Sequence, residues 1–238
     1  MVPVSHRGPD LAYSVVAGVI PCGPRWLVAS AKMAAATFAP EEPQLLDSFG
    51  EVLVQRPAFV AIVVGAPIGY LDRPGLGSRS CDRAARALLG RRALTVHDAP
   101  TRATFRRDPA WPDAHLDAVT ATLLPRFREV AAEMSPFRQR VVYSGHPELS
   151  FYQLNDDVPL RWSKRIEEGR LERRAVLEEK VPGVRRILDA ELAGASPRHL
   201  FDAAALLWSA RRVFGRAAKR LPADAEWDNE GLRMEMVL

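Results

Sequence analysis

Residues 59–64 read Phe-Val-Ala-Ile-Val-Val, an unbroken apolar run in which most residues are β-branched. A strand with no polar face must be covered on both sides, and β-branched side chains suit a pleated surface. Strands come first along this chain, then helices mixed with one more strand, and that order argues for an α/β architecture with a mixed sheet. The neighbouring segments supply the rest of such a sheet. Residues 14–20, 26–31 and 33–38 are short apolar runs that read as strands, with Gly23-Pro24 as the turn between the first two. Residues 140–143 form a further strand, and residues 233–237 read as an edge strand near the end of the chain, with Trp227 just before it.

Helical spacing fills the intervals. Leu45, Leu46, Phe49, Val52 and Leu53 predict a helix over 43–55. Residues 80–89 form a short helix with Ser80 at the N-cap and Gly90 as the stop, after a Gly- and Pro-rich loop over 65–77. Residues 113–134 are helical in pattern, but Pro125 is expected to kink that helix or start a second one. Helices are also expected over 148–154 and 163–180. Ser196-Pro197, an N-cap followed by Pro at the first helical position, opens the last helix to about residue 214. No internal repeat or low-complexity segment interrupts this order.

A chain of 238 residues with 47% hydrophobic and 26% charged residues can bury one substantial core. The expectation is a single domain over residues 1–238. No apolar run reaches membrane-spanning length, nothing at the N-terminus reads as a signal peptide, and Cys22 and Cys81 are too few for a disulfide framework. A cytoplasmic protein with no membrane partner is the expectation. The net charge of +4 admits a nucleic-acid partner but does not favour one. The cations are almost all arginine and are spread along the chain. The richest stretch, residues 161–186, interleaves glutamates, with Lys164/Glu168 and Arg174/Glu178 at the spacing of a solvated helix face. No basic stripe carries the interleaved aromatics that stack single-stranded bases.

Several residues stand out chemically. Asp202 lies in a helix that is apolar almost all round, Leu200-Phe201-Asp202-Ala203-Ala204-Ala205-Leu206-Leu207-Trp208. A buried carboxylate there needs a partner or a metal, unless it is simply an acid near a helix N-terminus. Asp82, beside Arg83 and Arg86, reads as a structural ion pair, with phosphate or carboxylate binding by Arg83 or Arg86 as the sharper alternative. His97-Asp98 offers an acid/base imidazole with an adjacent carboxylate, or an exposed loop histidine. Cys22 is expected to act as a small buried hydrophobe. No P-loop, dinucleotide fingerprint, zinc spacing or nucleophile elbow is present.

Five segments together carry a family resemblance. They are Gly18-Val19-Ile20-Pro21-Cys22, Gly65-Ala66-Pro67-Ile68-Gly69, Cys81-Asp82-Arg83-Ala84-Ala85-Arg86, His146-Pro147-Glu148-Leu149-Ser150-Phe151 and Gly231-Leu232-Arg233-Met234-Glu235-Met236. The chain resembles the domain of unknown function 429 family, described as predicted nucleases with an RNase H-like fold. The resemblance implies an RNase H-like mixed β-sheet flanked by helices, with a site of two Mg²⁺ or Mn²⁺ ions held by carboxylates at strand ends. In the family the first two segments typically read Gly-Val-Asp-Gly-Cys and Asp-(Ile/Ala)-Pro-Ile-Gly, so Ile20 and Gly65 stand at two aspartate positions. The family's Glu-Val-His-Pro-Glu is here Ser144-Gly145-His146-Pro147-Glu148, so a third carboxylate is missing. His97 and Asp98 stand where the family has Phe and Pro. By the same resemblance Asp202 matches the aspartate of an Asp-Ala-Ala-Ala-like helix, His146 and Glu148 match a strand-to-helix junction, and Lys164, Gly169, Arg170 and Arg173 follow a Lys- and Arg-bearing run.

These departures imply a divergent member that has lost its two-metal site. The first reading is a repurposed enzyme acting on a small-molecule or nucleotide substrate by acid/base or electrostatic chemistry. Asp202, Glu148, His146 and His97 are its expected catalytic residues, and Lys164, Arg83, Arg86 and Asp98 its substrate-binding residues, with no metal or other cofactor. The alternatives are a metal-dependent nuclease with a reduced site, using Mg²⁺ or Mn²⁺, and a non-catalytic binding scaffold. Ile20, Gly65, His146, Glu148 and Asp202 are expected at one cleft on the C-terminal edge of the central strands, with His97 facing it.

Overall fold

The computed structural model describes residues 13–35, 37–106 and 116–238. Strand β1 (Ser14–Cys22) turns at Gly23-Pro24 into β2 (Arg25–Ala34), and the two pair antiparallel along their length. Two short strands, β3 (Thr37–Pro40) and β4 (Gln44–Leu46), pair antiparallel with opposite ends of β2. On the other side of β1 lies β5 (Phe59–Val64), parallel to it, and then β6 (Val142–Ser144), parallel to β5. The order is β3-β2-β1-β5-β6, with β4 also on β2. This is the RNase H-like mixed sheet, with an antiparallel meander on one side and parallel strands reached by long crossovers on the other.

Helices cover both faces, as the 59–64 run requires. They are α1 (Phe49–Leu53), α2 (Ser80–Leu89), α3 (Arg102–Arg106), α4 (Ala118–Glu133), α5 (Pro147–Leu154), α6 (Glu167–Lys180), α7 (Arg185–Leu188) and α8 (Pro197–Phe214). The strand period sorts β1 cleanly. Val16, Ile20 and Cys22 join the core built on α8, α5 and α6. Ala17 and Val19 join the opposite core with Phe49, Val52, Phe127 and Val130 from α1 and α4. Each fully buried Val, Leu or Ile contributes about 1.5–3 kcal/mol, so both faces add to stability. A separate ribbon of β7 (Arg220–Trp227) and β8 (Arg233–Val237) packs on α2, and Val237 bridges to Gly145 just after β6.

One glycine fixes how close α8 comes. A Cβ on Gly18 would stand 2.1 Å from the Leu207 backbone nitrogen and 2.3 Å from the Ala203 carbonyl oxygen. The helix backbone therefore rests directly on β1. That contact brings the N-terminal half of α8, with Asp202, up to the C-terminal end of the strand.

The structure departs from the sequence reading in several places. The expected helix over 43–55 is a strand followed by a single helical turn. Leu45 and Leu46 pair with Leu27 and Trp26 of β2, and Ser48 then caps α1 by accepting from the Glu51 amide at 3.2 Å. The strand expected over 33–38 is divided, with Met33 in β2 and residues 37–40 in β3. Pro125 lies inside α4, which is helical on both sides of it and is capped by Asp117; residues 113–115 of the expected helix lie outside the described residues. The helix expected from Ser163 starts at Glu167, leaving residues 163–166 as a turn. Arg79, not Ser80, stands at the N-cap of α2. Strand β7, which ends at Trp227, lacks a strong apolar alternation and has no counterpart in the sequence reading except that residue. Among the described residues no helix is long and apolar enough to cross a membrane.

Candidate functional site

The C-terminal ends of β1, β5 and β6 open on a cleft of about 580 Å³. Ile20, Gly65, His146, Glu148, Asp202 and Lys164 all line it, as do His97 and Asp98 from the loop before α3. Apolar residues form much of its wall, among them Pro67, Val96, Val119, Leu123, Phe127 and Met236.

Asp202 is buried, at 6% exposure, and its carboxylate is paired with the Lys164 ammonium through Oδ2. Its other oxygen, Oδ1, is buried and has no hydrogen-bond partner. Lys164 reaches this position because its turn folds back on α6. A Cβ on Gly169 would lie 2.0 Å from the Ser163 carbonyl oxygen, so only glycine allows the approach. Lys164 pairs with Asp202 and not with Glu168, whereas Arg174 and Glu178 do form the expected i,i+4 pair at 2.8 Å.

Glu148 is held by two arginines. Arg173, fully buried, donates to Oε1 at 2.6 Å, and Arg92 donates to Oε2 at 3.3 Å through Nε while its Nη2 lies 3.1 Å from Oε1. Burial alone would raise the carboxyl pKa. The Arg173 charge, then Arg92, overcome it and hold the group below the ordinary carboxylate range. Through Nη1 Arg173 also donates to the Trp162 and Gly169 carbonyls, at 3.0 and 2.9 Å, which tie α5, α6 and the Lys164 turn together.

His146 is the N-cap of α5. Its Nδ1 accepts the Glu148 amide hydrogen at 3.2 Å, so the ring proton sits on Nε2, which donates to the Thr95 carbonyl at 3.0 Å. Both nitrogens are therefore engaged. Burial, with Lys164 nearby, pushes its pKa down against the pull of Glu148. His97 lines the cleft, but the adjacent carboxylate of Asp98 is not its partner. Its Nδ1 instead stands 3.1 Å from Asp117, with both side chains more than a third exposed. Asp98 is taken by Arg86 at 2.6 Å. Arg86 also donates to the Val96 carbonyl and to Ser78 Oγ, so its charge is committed to holding the 96–98 loop. Arg83 does not line the cleft; it donates to the Ser78 carbonyl. Asp82 is not paired with Arg83 or Arg86 either. It forms a buried bidentate pair with Arg79, at 2.9 and 2.7 Å, while Arg79 also donates to the Ile68 and Gly69 carbonyls.

Three positions where the family resemblance implies carboxylate ligands, Ile20, Gly65 and Ser144, carry no such group, while Asp202 and Glu148 keep theirs. Ile20 Cγ2 would lie 3.2 Å from a Cβ on Gly65, and Leu206, one turn beyond Asp202, would lie 3.3 Å from it and 3.1 Å from a Cβ on Gly145. Ile20 and Leu206 thus fill the space between the strand ends. Ser144 Oγ donates to the Ala66 carbonyl at 2.8 Å. Among the described residues no group of three or more His, Cys, Asp or Glu could hold a metal ion. Hard divalent ions need several oxygen ligands, so the side chains present do not fit the two-metal arrangement.

Sequence reasoning did not single out His199, Arg92, Arg165 or Asp117. His199 lies at the third position of α8 and lines the cleft; its Nδ1 accepts the Ser196 amide hydrogen at 3.1 Å in a capping box. The signal was present as the Ser196…His199 spacing with Asp202 one turn on. Cys22 is buried, with Sγ 3.4 Å from His199 Nδ1 and 3.3 Å from the Gly194 carbonyl, and burial raises its thiol pKa above the usual value.

A family model described as "Protein of unknown function (DUF429)" matches residues 15–227. No curated protein matches the chain. Two solved structures similar to it are of RuvC from Thermus thermophilus. The protein alone is 16% identical with a TM-score of 0.37, covering 86% of this chain and 98% of that one. The same protein in complex with a Holliday junction substrate is 15% identical with a TM-score of 0.35, covering 87% and 98%.

Proposed function

This chain belongs to the DUF429 family, and we propose that this member is a divergent RNase H-like enzyme that has exchanged two-metal chemistry for fixed side-chain charges. Its substrate class is a small anionic molecule, a nucleoside phosphate above all, bound in the cleft of β1, β5 and β6. The observation that carries this reading is the Lys164–Asp202 pair. An ammonium stands on the carboxylate that the resemblance assigns to a metal, and the other carboxylate oxygen faces no protein donor. Lys164 then supplies the positive charge that would stabilise charge developing on a substrate oxygen, and Asp202 Oδ1 accepts a substrate proton or hydroxyl.

The charges around the pair suit an anion. Glu148 is offset by Arg173 and Arg92, and Arg165 adds a cation next to Lys164; over the whole lining Arg79, Arg92, Lys164 and Arg165 balance Asp82, Asp98, Glu148 and Asp202. The apolar wall of Pro67, Val96, Leu123 and Phe127 suits the base or another flat apolar part of such a molecule. No metal or other cofactor is needed for this chemistry.

Isothermal titration with AMP tests the reading. Binding is expected in the presence of EDTA, and Lys164→Ala should weaken it by about tenfold or more, as for loss of a charge-assisted contact. Binding that is absent in EDTA and restored by Mg²⁺ or Mn²⁺ would contradict the proposal, as would no binding under either condition.

A further inference from the structure

We propose that His199 is a substrate-positioning residue of this cleft, presenting a neutral imidazole N–H from Nε2 to an anionic oxygen of the ligand. The inference rests on the reading of the cleft as a small-anion site. It starts from the local structure of α8. Ser196 is the N-cap of that helix, and its backbone amide donates to His199 Nδ1 at 3.1 Å, in the place a glutamate or glutamine takes in the usual capping box. A ring nitrogen that accepts a backbone N–H cannot carry its own proton. The neutral ring therefore holds its hydrogen on Nε2, and the helix start fixes the tautomer.

The same device occurs at His146, where the Glu148 amide occupies Nδ1. The two histidines differ in what their Nε2 meets. That of His146 donates to the Thr95 carbonyl and is used up in the fold. That of His199 has no protein partner among the described residues, and the ring lines the cleft beside Lys164 and Asp202. Burial lowers the His199 pKa, with Lys164 and Arg198 acting in the same direction against Asp202, which keeps the ring neutral. A neutral imidazole is a strong hydrogen-bond donor that carries no charge needing solvation.

Three groups of the cleft then have complementary duties. Lys164 and His199 donate, and Asp202 Oδ1 accepts. Such a set selects a ligand that offers an anionic oxygen together with a hydroxyl or another donor, as a nucleoside monophosphate does. A simple dianion without a donor leaves Asp202 Oδ1 unsatisfied and gains less.

Two variants separate this role from helix capping. Asn in place of His199 keeps an acceptor near the position of Nδ1, so the cap survives, but it removes the donor at Nε2. Gln extends a side-chain amide towards the position of Nε2. Nitrogen-detected NMR of the histidine rings, with AMP titrated into the wild-type protein in EDTA, reads the contact directly. The expected result is an Nε2–H tautomer for both His146 and His199, with the His199 Nε2 resonance shifting on AMP addition and that of His146 staying in place. His199→Asn should keep the thermal midpoint within about 2 °C and lose about tenfold or more in AMP affinity. His199→Gln should recover part of that loss. Equal AMP affinity in the wild type and His199→Asn overturns the role of His199 and leaves the anion cleft standing. An Nδ1–H tautomer at His199 also overturns it. Failure of the wild type to bind AMP overturns the cleft reading itself, and this inference with it.

Discussion

Replacing Glu148 by Gln tests whether the charge cluster behind the cleft is as strongly coupled as its geometry implies. The carboxylate is 4% exposed and accepts from Arg173, which is 0% exposed, and from Arg92. Removing one partner of a buried ion pair costs about 3–5 kcal/mol, because the remaining charge is left uncompensated. Here Gln keeps one carbonyl acceptor, and Arg173 keeps its contacts to the Trp162 and Gly169 carbonyls, so the lower end applies, about 3 kcal/mol. For a chain of this size that corresponds to a fall in thermal midpoint of about 6–12 °C. The pH dependence has a definite sign. Glu148 titrates below the ordinary carboxylate range when folded, so its contribution is complete above that range. It is lost as pH falls through the folded value. The stability gap between wild type and Glu148→Gln, measured by urea unfolding, should therefore be full near neutral pH and shrink under acid conditions. A midpoint within about 2 °C of wild type, or a gap that widens as pH falls, would refute the argument.

Two further perturbations probe other parts of the account. Gly18→Ala would drive a methyl group into the backbone of α8 at Leu207 and Ala203, so it should cost about 3 kcal/mol or more by chemical unfolding; a change under about 1 kcal/mol would mean the helix does not rest on β1 as described. His97→Ala removes one member of a half-exposed pair with Asp117, worth about 0–1 kcal/mol. AMP affinity should stay within about threefold, and a loss beyond tenfold would make His97 a principal ligand group.

The sequence disclosed the parts of this protein that depend on local pattern. Residues 59–64 carry the signature of a strand covered on both faces, and β5 is that strand, between two parallel neighbours. Ser196-Pro197 marked the start of α8 to the residue. Where a pattern served two periods the reading failed. Leu45, Leu46 and Phe49 satisfy helical spacing, but β2 offered Leu27 and Trp26 as strand partners, and pairing across the sheet decided the outcome. At the site, sequence matching placed Asp202, Glu148 and His146 at one cleft but could not show what each touches. The pairing of Lys164 with Asp202 spans thirty-eight positions, and that of Arg173 with Glu148 twenty-five, so neither is legible from spacing. His97 drew attention because it is unusual in its segment. His199 was overlooked because a histidine at the third position of a helix looks like an ordinary surface residue until the amide on its Nδ1 is seen.

The central claim, that this cleft does not work through two metal ions, is tested most directly by a nuclease assay. The protein is incubated with single- and double-stranded DNA, RNA and hybrid duplex in Mg²⁺ and in Mn²⁺, beside Asp202→Asn. The account predicts no cleavage above that of the variant with any substrate or metal. Robust metal-dependent cleavage by the wild type that disappears in Asp202→Asn would contradict it, and would return the Lys164–Asp202 pair to the status of a resting arrangement displaced by metal.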